Sequence, residues 1–592
     1  MEVLQEEQLD KENIEFNYAA EFVKDSNANI YLTGKAGTGK TTFLKYVKSL
    51  IDKNTVIVAP TGVAAINAGG TTIHSFFQIP FSPFLPHDKR LRTKIPKGDD
   101  EDVSIYNTFR YRDDKRKIIE NLDLLIIDEV SMVRCDILDV IDKILRTFRK
   151  QWYAPFGGVQ VILIGNLYQL PPIAKPDEWN ILKRSYKTEF FFSAHCIEQN
   201  IPLFIELKKI YRQKEQSFID LLNKVRISDV SDSDIQALNR KYNPKFKPPE
   251  TENYIILATH NYQVDNVNSE KLKELSTPLK VYQGTVTGKF PKNWKGEYIL
   301  PTDKDLMLKE GAQIMFLKND SGEDKIFYNG KIAKIKILEE DEIKVELPNK
   351  EIINLEKHTW ENVKYVWDEE EKKVKSEVIG TFTQYPIRLA WAITVHKSQG
   401  LTFEQVYADL GSSFAAGQVY VALSRCTSSN GLILKSRLRK EIIKTDPRVI
   451  EFSKNETGRE DLISELNKIK ATKYFNSFKY NLSIREYDSA INSLLIALKL
   501  SDKLDSEETR RYLKVYFQKI AHYQEMNLKM RNSITSIINK VVVLKQENKK
   551  ISSSMNGYKG RTTSLSNEVK KLKVEIERLK KITWWQKLFG KK

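Results

Sequence analysis

The sequence predicts an α/β protein with a parallel sheet at its heart, followed by an α-helical, partly coiled-coil tail. Three observations carry this. The strand Asn29-Ile30-Tyr31-Leu32-Thr33 runs straight into the glycine-rich segment Gly34-Lys35-Ala36-Gly37-Thr38-Gly39-Lys40-Thr41-Thr42 and then into a helix. Apolar strands alternate with helical patterns up to about residue 200, as where parallel strands are joined by crossover helices. From Met530 onward, mostly apolar residues return every three or four positions.

The first strand and its loop form a phosphate-binding loop. Gly34, Gly37 and Gly39, with Thr38, let backbone N–H groups close around a triphosphate, Lys40 reaches its β- and γ-phosphates, and Thr41 holds magnesium. Thr42 opens the following helix, in which Leu44, Val47, Leu50 and Ile51 share one face. The helix N-terminus adds partial positive charge to the same site. The second strand, Val56–Ala59, ends in Pro60-Thr61-Gly62-Val63-Ala64-Ala65, and the polar segment Gly69-Gly70-Thr71-Thr72-Ile73-His74-Ser75-Phe76-Phe77 follows. The third, Leu122–Ile127, is a largely apolar, buried-type run that delivers Asp128-Glu129 to the sheet edge. Adjacent carboxylates there suit two jobs: Asp128 completes a magnesium shell, and Glu129 orients and deprotonates an attacking water. The fourth, Val159–Ile164, leads to Gly165-Asn166-Leu167-Tyr168-Gln169-Leu170-Pro171-Pro172, where Gln169 is placed to hydrogen-bond a γ-phosphate.

At 592 residues the chain has room for about three to five domains. No stretch approaches the ~20 apolar residues of a spanning helix. The acidic, polar start, Met1 to Asp10, does not read as a signal peptide. Cys135, Cys196 and Cys426 have no metal-site spacing and suit a reducing cytosol. The expected location is therefore cytoplasmic, with nucleoid association if the chain is bacterial. The net charge is +17, but about 30 Lys/Arg against about 15 Asp/Glu lie beyond Ser453, so the tail holds nearly all of the excess. Bulk charge does not tie the nucleotide-binding part to nucleic acid.

The ordered set GKAGTGKT, APTGVAA, TTIHSFF, DEVSM, GNLYQLPPI, IYRQ, AWAITVHKSQGLTF and GQVYVALSR resembles a superfamily-one helicase. It is most similar to the Pif-one family of 5′→3′ DNA helicases, with RecD-like helicases as relatives. Phe218–Arg226 resembles the signature that separates the two groups. The likeness covers about residues 12–450 and implies an enzyme that hydrolyses ATP with magnesium to unwind DNA. By the same resemblance, the setting is DNA repair, recombination or replication, or telomere-type genome maintenance. It assigns Lys40, Thr41, Asp128, Glu129 and Gln169 to ATP and magnesium, and Arg212 and Arg425 to the two arginine fingers. It assigns Thr61, Gly62, His74, Thr394, His396, Lys397, Ser398 and Gln399 to DNA, through polar groups that hydrogen-bond phosphates without reading bases. The expected partners are single-stranded DNA and tailed or forked duplexes. Two positions depart from the family: Asn166 stands where Asp is usual, and no glutamine precedes the first strand, so Asn17 is the expected stand-in for the adenine-reading residue.

The resemblance also divides the chain. A RecA-like ATP-binding domain spans 1–200, with a wedge insert at about 80–120, and a second RecA-like domain spans 201–310 and 380–452. A small β-barrel insert fills 311–379, where Ala312–Phe316, Gly330–Ile337 and Ile343–Leu347 read as strands. Residues 453–529 read as a helical spacer. Residues 530–592 read as a coiled coil with a basic, aromatic terminus. Its ladder sets Ile534, Val541, Val569 and Ile576 at a, with the polar Asn548, and Leu544, Leu565, Leu572 and Leu579 at d. That pattern favours a parallel two-stranded coil, hence a homodimer, against a helix packed within its own chain. The terminus Lys580–Lys592, with Trp584-Trp585, suits a membrane surface, a protein partner or nucleic acid equally. Two readings compete with the helicase: a single-stranded DNA translocase that displaces proteins, and a P-loop ATP switch in an assembly. The second is disfavoured, because a pure switch need not keep Glu129, Gln169, Arg212 and Arg425 together.

Overall fold

The computed structural model describes residues 13–581 apart from 96–102, 214, 248–253, 291, 293–295, 319, 321–325, 341, 485, 501–506 and 554–558. The chain forms two compact units, Met1–Leu462 and Ile463–Lys592.

The first unit opens with six strands: β1 (Ile30–Gly34), β2 (Thr55–Ala59), β3 (Thr71–Thr72), β4 (Leu124–Ile127), β5 (Gln160–Ile164) and β6 (Leu203–Leu207). They make one parallel sheet in the order β3-β2-β4-β5-β1-β6. Every residue of β1, β4 and β5 is buried, because crossover helices cover both faces; hence their continuous apolar runs. Helix Cys135–Phe148 packs Leu138, Ile141 and Leu145 into that core. The order makes β4, β5 and β1 neighbours, so the Asp128-Glu129 turn, the Asn166–Gln169 loop and the phosphate loop leave one sheet edge side by side.

A second parallel sheet begins with β7 (Ile255–Ala258). The chain then departs through helix Asn261–Glu274 into β8 (Lys280–Gln283), β9 (Thr285–Gly288), β10 (Asp305–Leu308), β11 (Gln313–Phe316), β12 (Ile332–Leu338), β13 (Ile343–Glu346), β14 (Ile352–Leu355), β15 (His358–Asp368), β16 (Lys373–Gln384) and β17 (Ile387–Leu389). It returns as β18 (Ala392–Thr394), β19 (Val406–Asp409) and β20 (Leu432–Leu434), giving the order β18-β7-β19-β20. The excursion is longer than the expected 311–379. β8 pairs with β10, and β9 pairs with β16, Thr285 opposite Thr383, so residue 379 falls within β16, and residue 311 falls in a turn that β8, β9 and β10 already precede. Such short strands, paired across about a hundred residues, leave little local signal. The sheet β14-β13-β12-β11-β17 is antiparallel and has its own core of Ile314, Phe316, Ile335, Val345 and Tyr385.

Segment 80–120 is mostly irregular where described, with a short 3-10 turn at Lys89–Leu91 and helices Ile105–Thr108 and Asp113–Glu120. The last of these meets β15: Asp114 pairs with Lys364 at 3.1 Å, and Lys117 pairs with Glu369. The Tyr365 hydroxyl accepts from Ile57 N at 3.0 Å. β3 pairs only with Val58 and Ala59, so Tyr365 caps the part of the β2 edge that β3 leaves bare.

The second unit is helical. Phe475 and Phe478 of helix Arg459–Ser483 pack on Ala490 and Ala497 of helix Tyr487–Leu500. The heptad ladder is not one helix. It is split between Glu507–Ser553 and Lys559–Lys581, and these two pack on each other. Ile534, Ile537, Val541, Leu544 and Asn548 on one helix, and Thr562, Leu565, Val569, Leu572 and Ile576 on the other, are the more sheltered stripe of each. The seam expected between two copies is thus occupied within one chain. The tryptophans and lysines at 582–592 lie outside the described residues. Among the described residues, no helix is long and apolar enough to cross a membrane.

Candidate functional site

The phosphate loop leaves β1 with Gly37 at φ 83° and Gly39 at φ 91°, a left-handed backbone that residues with a Cβ adopt only at a cost. At Gly37 there is also no room: a Cβ would sit 2.3 Å from Cβ of Arg212. The loop therefore receives Arg212 directly against its backbone, and Tyr211 N donates to Gly37 O at 2.9 Å. Lys40 opens helix Lys40–Leu50, and its ammonium donates to Gly34 O at 2.8 Å and Lys35 O at 3.0 Å. Burial lowers its pKa to about 8, against the pull of Glu129. Thr38 is buried and donates to Lys35 O, whereas Thr41 and Thr42 are exposed on the first helical turn.

Glu129 follows β4 with φ 51°, a positive φ that is uncommon outside glycine and recurs at functional turns. Asp128 Oδ1 accepts from Glu129 N at 2.9 Å. Burial, and then the neighbouring Glu129, push Asp128 up to about 7; burial also raises Glu129. Two desolvated carboxyls in contact are held at the cost of their own ionisation, an arrangement a cation relieves. Asp128 with the Thr41 hydroxyl is a sparse, hard oxygen set, which fits magnesium, an ion that keeps several waters and takes phosphate oxygens besides. Among the described residues, no cluster of three or more His, Cys, Asp or Glu forms a cage for any other metal.

The second parallel domain supplies the opposite wall. Arg425 is 1% exposed, and burial first, then Arg212, lower its guanidinium to about 9. Burial lowers Arg212 to about 10. Arg425 donates to Val421 O at 3.0 Å and Leu401 O at 3.4 Å, and Arg212 donates to Ser424 O at 3.3 Å. Among the described residues, neither is ion-paired to a carboxylate. Two desolvated guanidiniums and a desolvated ammonium, acting on each other across the phosphate loop, form a receptor for a polyanion. Among the contacts that bind the walls together, Ala36 N donates to the Tyr420 hydroxyl at 3.4 Å, and Gln213 Nε2 donates to Ser424 O at 3.0 Å. Gly417 lets its segment lie on Gln169, since a Cβ there would sit 2.3 Å from Gln169 O.

The residues expected on DNA fall into three groups. Thr61 caps helix Gly62–Ala68, accepting from Ala64 N at 3.2 Å, and Ile299 lies over Gly62, with 3.1 Å from its Cγ2 to a Cβ built there. His74 Nδ1 bonds to Ile79 O at 2.9 Å, and its ring stacks on Phe81, which is 88% exposed. Thr394 accepts from Lys397 N, and Ser398 donates to Val395 O, so both shape the turn after β18, while His396 and Lys397 stand exposed on it. Gln399 departs from the expectation. Its Nε2 donates to Glu129 Oε2 at 2.8 Å and to Gln169 Oε1 at 3.2 Å, inside the nucleotide site.

Two further features were not legible beforehand. Asn13, one turn before Asn17, donates from Nδ2 to the Tyr211 hydroxyl at 3.1 Å and caps helix Ile14–Asp25. It ties that helix to Tyr211, whose backbone N meets the phosphate loop, and its place at the head of the helix was the available signal. Asn166 is fully buried; its Oδ1 accepts from Tyr168 N, and its Nδ2 has no protein partner among the described residues.

Comparison with known proteins adds a family. The model described as PIF1-like helicase matches residues 8–84 and 87–236. The human ATP-dependent DNA helicase PIF1 is 32% identical over 434 residues, 72% of this chain and 60% of that protein. The chain thus spans about three fifths of the human relative's length. The Campylobacter jejuni ATP-dependent DNA helicase Pif1 is 30% identical, over 72% of this chain and 94% of its own. Pif1 from Bacteroides sp, 38% identical, superposes with a TM-score of 0.66 in complex with ADP-AlF4, covering 74% of this chain and 96% of that one. Bound to ssDNA, it superposes at 0.50, covering 77% and 97%.

Proposed function

The chain belongs to the PIF1-like helicase family, and on that premise we propose that it is an ATP-dependent DNA helicase moving 5′→3′ on single-stranded DNA. Its substrates are tailed and forked duplexes, and its work belongs to genome maintenance. The observation that carries this reading is the split site: Lys40, Glu129 and Gln169 on one wall, and the buried Arg425 on the other, with Arg212 against the phosphate loop.

Each residue has a physical task there. The phosphate-loop amides and Lys40 hold the triphosphate, and an amide of the first helix, Asn13 or Asn17, reads the base. Magnesium, held by Thr41 and Asp128, supplies charge neutralisation at the phosphates when bound. Glu129 orients the attacking water and takes its proton, and Gln169 aligns the γ-phosphate. Arg212 and Arg425 neutralise the transition-state charge, which they reach together only when the two domains are closed. Closure and hydrolysis are thereby tied, and each cycle shifts the strand bound along Thr61, Gly62, His74, Thr394, His396 and Lys397. Segment 80–120 serves as the wedge, and the β8–β17 excursion as a barrel-like cover over the strand. A homodimer through the C-terminal ladder would require opening the intrachain helix pair.

The test is hydrolysis with and without a single strand. DNA should stimulate the wild-type rate, and Arg212→Ala or Arg425→Ala should lower the stimulated rate by ~10³-fold or more. Hydrolysis that ignores both DNA and Arg425→Ala would remove the coupling and the reading with it.

A further inference from the structure

Gln399 sits on the same turn as the exposed His396 and Lys397 yet reaches the opposite way, into the hydrolytic centre. The turn Thr394–Gly400 is stiff: Ser398 N donates to Thr394 O, Leu401 N to Ser398 O, and the Ser398 hydroxyl to Val395 O at 2.7 Å. A shift of His396 and Lys397 therefore carries Gln399 with it.

Both hydrogens of the Gln399 amide are used on the two groups that must meet water and phosphate. One goes to Glu129 Oε2 and the other to Gln169 Oε1. The reverse orientation would set the amide oxygen against the Glu129 carboxylate, so the donor assignment follows from the partners. With Glu129 Oε2 and Gln169 Oε1 held, Glu129 Oε1 is left to take a proton from water, and Gln169 Nε2 is left to donate to a phosphate oxygen. One side chain thus sets both.

We propose that Gln399 is a positioning residue for hydrolysis, which aligns Glu129 and Gln169 and through which a strand seated on His396 and Lys397 governs the rate. This rests on the helicase reading above. It differs from a DNA contact in what it makes Gln399 control: the turnover of the DNA-saturated enzyme rather than the hold on DNA.

Gln399→Ala and the isosteric Gln399→Glu, in the full chain, separate the two. Expected for Gln399→Ala is a ~10–100-fold loss of DNA-saturated kcat, with the KM for ATP and the Kd for an oligothymidine strand within about threefold of wild type. Gln399→Glu should lower kcat at least as far, by setting a second carboxylate against Glu129, again with the Kd for the strand held, and it serves if the alanine variant does not fold. A weakened Kd for the strand, with kcat fully restored at saturating DNA, would overturn the proposal and make Gln399 a DNA contact. A wild-type enzyme without DNA-stimulated hydrolysis would instead overturn the helicase reading.

Discussion

Replacing Arg425 with methionine should stabilise the nucleotide-free motor and at the same time disable it. The guanidinium is buried, and its pKa falls from 12.5 to about 9, chiefly through desolvation. At ~1.4 kcal/mol per tenfold change in proton affinity, that is ~5 kcal/mol against the charged form, present at every pH below the folded pKa. Against this, methionine gives up one good charge-assisted hydrogen bond, to Val421 O at 3.0 Å and worth ~2 kcal/mol, and two long ones, to Leu401 O and the Ser424 hydroxyl at 3.4 Å, worth ~0.5 kcal/mol each. The difference favours the variant by ~2 kcal/mol, which in a motor of this size raises Tm by ~2–4 °C. Scanning calorimetry near neutral pH without nucleotide reads the gain. Repeating it with magnesium, ADP and aluminium fluoride should raise Tm strongly in the wild type and little in the variant. Hydrolysis should fall by ~10³–10⁵-fold. A less stable variant whose hydrolysis stays within tenfold of wild type would show that Arg425 is a structural residue, and the anion-receptor argument would fail.

Other predictions concern the carboxylates, the base and the tail. Asp128 is raised to about 7 from 3.8, so the nucleotide-free fold holds a proton there that the unfolded chain releases. The contribution is full below the unfolded value and is lost as pH rises through about 7, so nucleotide-free stability should fall over that window, and Asp128→Asn should flatten the fall in melting scans. Asn13→Ala should narrow the preference for ATP over GTP in competition assays while leaving pyrophosphate-like inhibition unchanged. Because the heptad seam is filled within the chain, sedimentation should find a monomer, and Val541→Asp should loosen the helix pair as measured by loss of helical circular dichroism. A dimer that Val541→Asp dissociates would restore the intermolecular coil.

The nucleotide-binding half of the site could be read from the sequence because its chemistry is local. Gly37, Gly39 and Lys40 need one backbone conformation, and Asp128-Glu129 need only a buried strand to carry them, so strand, loop and helix appear within a few residues of each other. The two arginines came from ordered motifs, and their state in the fold came from burial, which no spacing encodes. The inward reach of Gln399 was not legible for a related reason: a seven-residue turn marks where it lies along the chain, not which way an amide points. The link from Asn13 to Tyr211 was not foreseen because helix caps are hard to place within a turn. The β8–β17 excursion was cut short because β9 and β16 are paired from far apart. The tail was legible as a ladder, but a ladder is the same whether its partner is another copy or the next helix of the same chain.

A motor driven by closure of this split site should move in one direction on a single strand. Strand displacement on matched duplexes carrying either a 5′ or a 3′ single-stranded tail reads that direction. ATP-dependent unwinding of the 5′-tailed duplex alone is expected, abolished by Lys40→Ala and by Arg425→Ala. Equal unwinding of both duplexes, or of the 3′-tailed one only, would contradict it.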